Sequence, residues 1–116
     1  MTVRRIVANI ASDKLEAGKS FYGAILGMHV AMDHGWILTF AGDGLASPQI
    51  SIASEGGSGA QVPDISIEVD NLDEVLARVK TAGLPIEYGP ASEPWGVVRF
   101  FVRDPFGRLV NLLSHG

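Results

Sequence analysis

Ser54-Glu55-Gly56-Gly57-Ser58-Gly59-Ala60 divides the chain, and Asp64-Ile65-Ser66-Ile67-Glu68-Val69 restarts it. The first stretch reads as a flexible Gly/Ser linker. The second alternates polar and apolar residues, as a strand with one buried face does. Asn71 then offers a helix N-cap, and Glu74 stands three residues on, as a capping box prefers. Leu72, Val75, Leu76 and Val79 form an apolar stripe that Gly83 ends. Pro85 to Tyr88, Val97 to Val102 and Leu109 to Leu113 read as three more strands. Asp104-Pro105-Phe106-Gly107 joins the last two and suits a type I turn.

The same order precedes the linker. Val3 to Ile10 reads as a strand. Ser12 or Asp13 offers a cap, and Leu15, Phe21, Tyr22, Ile25 and Leu26 follow at roughly helical spacing up to Gly27. Gly18 and Gly23 weaken that helix, each by about 1 kcal/mol against alanine. Met28 to Met32, Trp36 to Ala41 and Gln49 to Ala53 are strands, the first two joined at Asp33-His34-Gly35. The fold class is therefore α+β with two βαβββ repeats. Gly27 matches Gly83 and Ser51 matches Asn111 between them. We assign repeat one to 1–54, the linker to 55–62 and repeat two to 63–116 of a single domain. The open sheet faces of the two repeats are expected to surround one cavity.

Bulk properties exclude several classes. The chain has 116 residues, 47 % hydrophobic and 19 % charged, an ordinary globular composition. A net charge of −4 argues against a nucleic-acid partner, whose phosphates select basic surfaces. There is no cysteine, so disulfides, thiolate metal sites and cysteine catalysis are out. That absence fits the cytoplasm, the expected compartment. Met1-Thr2-Val3-Arg4-Arg5 is not followed by the apolar core of a signal peptide, and no apolar run approaches the roughly 20 residues of a membrane span.

Strand alternation assigns the faces. Ile65, Ile67 and Val69 turn to the helix, which leaves Asp64, Ser66 and Glu68 on the cleft side. Ser51, Arg99, Phe101 and Asn111 join them by the same rule. The repeat alignment adds Trp36, Leu38 and Phe40, although both faces of that strand are apolar. The bland alternative for each aromatic is plain core or a dimer interface. Aromatic groups with a few polar ones are what small-molecule pockets usually show.

Two motifs carry a resemblance over nearly the whole chain. Phe21-Tyr22-Gly23-Ala24-Ile25-Leu26-Gly27-Met28 ends the first helix, and Val102-Arg103-Asp104-Pro105-Phe106-Gly107-Arg108-Leu109-Val110-Asn111-Leu112 forms the last hairpin. Both resemble the vicinal oxygen chelate superfamily of glyoxalase I, bleomycin-resistance proteins and extradiol dioxygenases. The resemblance implies a curved mixed sheet around a cleft. Metal-dependent relatives hold one divalent ion from four cleft positions. Carried over, these are Ser51, Asn111, Asp64 and one of Ile6, Val7 or Ala8. Only Asp64 is a credible ligand, so no metal and no other cofactor is expected. His29, His34 and His115 have no helical i, i+4 spacing and read as surface residues.

No nucleophile elbow or Walker loop is present. Asp64 and Glu68 lie roughly 13 Å apart on one strand, too far for a tight carboxylate pair. Glu68 in an apolar cleft is a candidate base; the alternative is a salt bridge to Arg99 or Arg103. The expected function is metal-free binding of a small aromatic or hydrophobic molecule, possible drug sequestration, by Trp36, Phe40, Phe101 and Trp95. Asp64, Glu68 and Arg99 would orient its polar groups, and the carboxylates suit a cationic ligand. The alternatives are a glyoxalase- or dioxygenase-type enzyme (lyase, isomerase or oxidoreductase) and an interaction module with its cleft filled. The resemblance also implies a homodimer. No membrane partner is expected.

Overall fold

The computed structural model describes residues 1–115. Its elements run β1 (Val3–Ala11), a helical segment (Lys19–Ile25), β2 (His29–Asp33), β3 (Ile37–Ala41), β4 (Gln49–Ala53), β5 (Ile65–Val69), α1 (Leu72–Thr81), β6 (Tyr88–Ser92), β7 (Val97–Arg103) and β8 (Leu109–His115). The order is βαβββ twice, as the sequence predicts. Two compact units result: Val7–Val62, and Met1–Ile6 together with the chain from Pro63 onward. No described helix is long and apolar enough to cross a membrane.

The Val7–Val62 unit has strand order β2-β3-β4-β1, with β1 parallel to β4 and the other pairs antiparallel. Its helix is a π-type segment rather than the longer α-helix expected. Tight i to i+3 hydrogen bonds over Lys14–Lys19 precede it, and Ser12 Oγ accepts from Lys14 N–H at 3.0 Å. Packing explains the departure. A Cβ on Gly18 would lie 2.6 Å from Ile52 Cδ1 and 3.1 Å from the Phe40 ring. Gly18 therefore lets the chain press onto the sheet where a side chain would hold it off. Leu38, Phe40 and Ile52 form the buried cluster beneath, with Leu15, Tyr22, Met28 and Ile50 against it.

The other unit has strand order β5-β8-β7-β6, with β5 parallel to β8 and the rest antiparallel. Asn71 Oδ1 accepts from Glu74 N–H at 3.1 Å, so the predicted cap forms. Val69, Leu72, Val75, Val79, Phe100 and Val102 make the core under α1, joined by Ile67, Val98 and Leu112. The predicted alternation of β5, β7 and β8 is thus observed. β6 begins later than expected. Gly89, at φ +78°, would place a Cβ 2.6 Å from Arg99 O, so the ladder shifts register between Tyr88 and Ala91. Pro90 is tolerated because β6 is an edge strand.

The Gly-rich segment is a built turn, not the flexible linker its composition suggests. Gly56 N–H donates to Ala60 O at 2.7 Å, and Gly59 N–H donates to the Glu55 carboxylate at 2.9 Å. A Cβ on Gly56 would lie 2.0 Å from Gln61 O, so close backbone approach requires glycine there.

Two outcomes follow. Gly18→Ala overpacks the Phe40–Ile52 contact and lowers stability by about 1–3 kcal/mol in chemical denaturation, despite alanine's better helix propensity. Thr2 N–H donates to Asp70 Oδ1 at 2.7 Å and holds that carboxyl below its usual range. A lowered folded-state value contributes stability above the ordinary carboxylate range, lost as pH falls through the folded value. Denaturation of Asp70→Asn across pH 7 to 2 is expected to converge with wild type at the acid end. A constant gap between the two would contradict this.

Candidate functional site

The helix-free face of the second unit carries Glu68, Arg99, Phe101 and Asn111, four of the ten residues the sequence reading selects. β7 alternation turns Val97, Arg99, Phe101 and Arg103 away from α1. The ladder pairs Phe101 with Asn111 and Tyr88, Arg99 with Leu113, and Ser66 with Asn111.

Arg99 is 3 % exposed. Its guanidinium carbon lies 5.0 Å from the Tyr88 ring centre, 5.0 Å from Trp95 and 4.9 Å from Phe101. Arg99 Nε donates to Glu93 Oε2 at 2.7 Å, and Tyr88 Oη donates to the same oxygen at 2.9 Å. The side chains of the Arg99–Glu93 ion pair are almost wholly buried. Three rings supply cation–π attraction while the carboxylate supplies the counter-charge. Arg99 is thus committed within its own unit, which corrects its expected role of orienting a ligand. Trp95 and Phe101, expected to contact a ligand, pack on the Arg99 guanidinium. Tyr88 and Glu93 were not anticipated. The signal for Glu93 lay in the hairpin: Glu93 N–H donates to Val97 O, but that pairing is legible only once β6 is placed at its true register.

Asn111, 7 % exposed, is the second feature. Its Nδ2 donates to Ser66 Oγ at 3.1 Å. Its Oδ1 is buried without a hydrogen-bond partner among the described residues. An orphaned buried acceptor costs about 1–3 kcal/mol, so it calls for an explanation.

Glu68 is the third. Its Oε2 lies 3.0 Å from His115 Nδ1 and its Oε1 3.2 Å from Arg5 Nε. The expected salt bridge to Arg99 or Arg103 does not form; Glu68 pairs with Arg5 and His115 instead. Arg99 is taken by Glu93, and Arg103 pairs with Glu87 at 2.9 Å.

Other predicted site residues take different places. Asp64 is exposed and does not join the face; its Oδ2 accepts from Leu109 N–H at 2.9 Å and closes the β5–β8 end. In the first unit, Leu38 and Phe40 are 1 % and 0 % exposed under the helix. They are core, not cleft. The ring centres of Phe40 and Tyr22 lie 5.8 Å apart. The strand with two apolar faces took the opposite choice because Gly18 allows the helix onto Phe40. Trp36 precedes β3 and stacks on His34 at 6.1 Å. Ser51 does lie on the helix-free face of its own sheet, where its Oγ and Thr39 Oγ1 share a buried 2.7 Å hydrogen bond.

These positions do not fit a divalent ion. Ser51 is committed to Thr39, Asp64 to a backbone amide, and Asn111 offers one neutral oxygen. No group of three or more His, Cys, Asp or Glu that would hold a metal occurs among the described residues.

The family profile "Glyoxalase/Bleomycin resistance protein/Dioxygenase superfamily" matches residues 4–112. No curated protein matches. Among solved structures, a superfamily member from Vibrio splendidus 12B01 aligns with TM-score 0.64 and 18 % identity, covering 97 % of this chain and 99 % of that one. A methylmalonyl-CoA epimerase from Mycobacterium tuberculosis aligns with TM-score 0.64 and 17 % identity over 98 % and 87 %. A Legionella pneumophila protein described as an NAD-dependent benzaldehyde dehydrogenase gives 0.73 and 12 % over 97 % and 100 %. At these identities the likeness is one of fold.

Removing one partner of the buried pair tests its structural role. Glu93→Ala leaves the Arg99 charge buried and is expected to cost about 3–5 kcal/mol in denaturant unfolding. A change below about 1 kcal/mol would show that Arg99 escapes to solvent.

Proposed function

The chain belongs to the glyoxalase/bleomycin resistance protein/dioxygenase superfamily, and from that premise we propose that it binds a small, neutral, largely aromatic molecule without a metal. The binding surface is the helix-free face of the second unit, around Ser66, Asn111 and the ring edges of Trp95 and Tyr88. The observation that carries this is Asn111 Oδ1, an acceptor buried beside Phe101 with no partner. A ligand hydroxyl or N–H would satisfy it, while the aromatic neighbours supply apolar contact.

The ligand is neutral because the charges around it are already matched. Arg99 is neutralised by Glu93, and Glu68 is faced by Arg5 and His115. The cationic ligand suggested by unpaired carboxylates therefore loses its support.

Asn111→Leu tests the assignment. It removes the orphaned oxygen and also the bond to Ser66, two effects that offset. The melting temperature is expected to change little. Binding of 2-hydroxyacetophenone, an aromatic ketone with one hydroxyl, is read by calorimetry and saturation-transfer NMR. The variant is expected to bind it at least about ten-fold more weakly than wild type, the loss of one buried hydrogen bond. The methoxy analogue, which has no hydroxyl to donate, is expected to bind both proteins equally weakly. Equal hydroxyketone binding by the two proteins would remove the Asn111 site.

A further inference from the structure

The β3–β4 connection, residues 42–48, is exposed around Asp43-Gly44. Two hydrogen bonds shape it. Gly42 N–H donates to Pro48 O at 2.9 Å, and Ser47 N–H donates to Gly44 O at 2.9 Å. Gly44 is thus held through its carbonyl, while its own N–H donates to nothing among the described residues. The Asp43 side chain is 89 % exposed, and no backbone N–H among the described residues donates to it. Its close partner is an imidazole: His29, on the edge strand β2, places Nδ1 3.5 Å from Asp43 Oδ1.

This arrangement sets Asp43 apart from the other aspartates. An aspartyl carboxyl can be attacked by the amide nitrogen of the next residue. A hydrogen bond that occupies either group opposes the attack, and so does a side chain that crowds the nitrogen. Asp33, Asp64, Asp70 and Asp104 each accept from a backbone N–H. Asp104 also precedes Pro105, which has no N–H to lose. After Asp13, the Lys14 N–H is donated to Ser12 Oγ; after Asp73, the Glu74 N–H is donated to Asn71 Oδ1. Among the described residues, Asp43 alone joins a carboxylate without backbone bonds to a following amide that is undonated and has no Cβ beside it. The position is open, since a Cβ on Gly44 would meet only Pro48 Cδ, at 3.9 Å.

We propose that Asp43-Gly44 is a self-modification site, where the aspartate converts to its β-linked isomer through a cyclic imide. Gly44 N attacks Asp43 Cγ, and an N–Cγ bond forms. One carboxylate oxygen leaves as water, taking the Gly44 amide proton and a proton from Nδ1 of protonated His29. Water then adds to the imide carbonyl that was the Asp43 backbone carbonyl, and its bond to Gly44 N breaks. The nitrogen regains its proton, and the proton released by the new carboxylic acid restores the imidazolium. The chain now runs through Cβ and Cγ, with the former backbone carbonyl as a free α-carboxylate. One water is lost and one gained, so the composition is unchanged and nothing is oxidised or reduced. The product lengthens the β3–β4 connection by one backbone carbon.

The test holds the full-length chain, folded, in warm and mildly acidic buffer. Samples are digested with a protease that cuts at aspartate and not at its β-linked isomer. Peptide mass spectrometry reads the isomer at each aspartate, as missed cleavage at unchanged mass and as backbone fragments across the added methylene. Wild type is expected to accumulate it at Asp43 ahead of every other aspartate, preceded by a species lighter by one water. Gly44→Val is expected to melt with wild type and to lose the Asp43 product. Gly44→Ala, which adds the single Cβ that the loop accommodates, is expected to slow it. His29→Gln is expected to slow conversion at Asp43 in the folded chain. It is expected to match wild type in chemical denaturant, where His29 is no longer held beside Asp43. Equal isomer at Asp43 and at the other aspartates of the folded chain overturns the site. Product that persists undiminished in both Gly44 variants overturns ring closure through that amide. Equal folded rates for wild type and His29→Gln overturn the role of the imidazole.

Discussion

The buried Arg99–Glu93 pair constrains everything on the second unit's open face. A guanidinium taken out of water needs a counter-charge and acceptors for its N–H groups. Glu93 supplies the charge, and Tyr88 fills a further site on the same carboxylate oxygen. Tyr88, Trp95 and Phe101 wrap what is left. Meeting that demand fixes the β6–β7 hairpin. Glu93 must sit at its turn, and Gly89 must let β6 approach Arg99 O. What would otherwise be a charged groove becomes a neutral, ring-lined surface.

With that charge matched, the other polar groups on the face are weaker ones. Asn111 keeps an acceptor for which the described residues supply no donor, and Ser66 accepts from its amide nitrogen. Further along the same two strands, Glu68 holds the imidazole of His115 while Arg5 holds Glu68. The β5–β8 ribbon therefore carries a buried acceptor at Ser66–Asn111 and a carboxylate–imidazole pair one pleat repeat further on. Parallel pairing sets their spacing, because each β5 residue is locked beside one β8 residue.

The positions carried over from metal-dependent relatives do not fit a divalent ion here. The carried-over positions are occupied by side chains that the structure uses elsewhere. Thr39 engages Ser51, and Asp64 closes a strand end through Leu109. The same backbone thus presents different groups, as expected when function resides in sites grafted on a fold.

Two βαβββ repeats, the α1 cap at Asn71 and the faces of β5, β7 and β8 were legible in the chain, because period and capping are local properties. The helix-free placement of Ser51 and Asn111 follows from the same alternation. Tertiary structure decided the rest. Leu38 and Phe40 went to the core because Gly18 admits the helix, a contact between residues more than 20 apart. Glu93 and Tyr88 escaped notice because their importance comes from a hairpin register that a glycine close approach shifted. The partners of Glu68 come from β1 and the end of β8, and no local pattern names them. Alternation along one strand tells which way a residue points. Only pairing and packing between distant segments determine what it meets there.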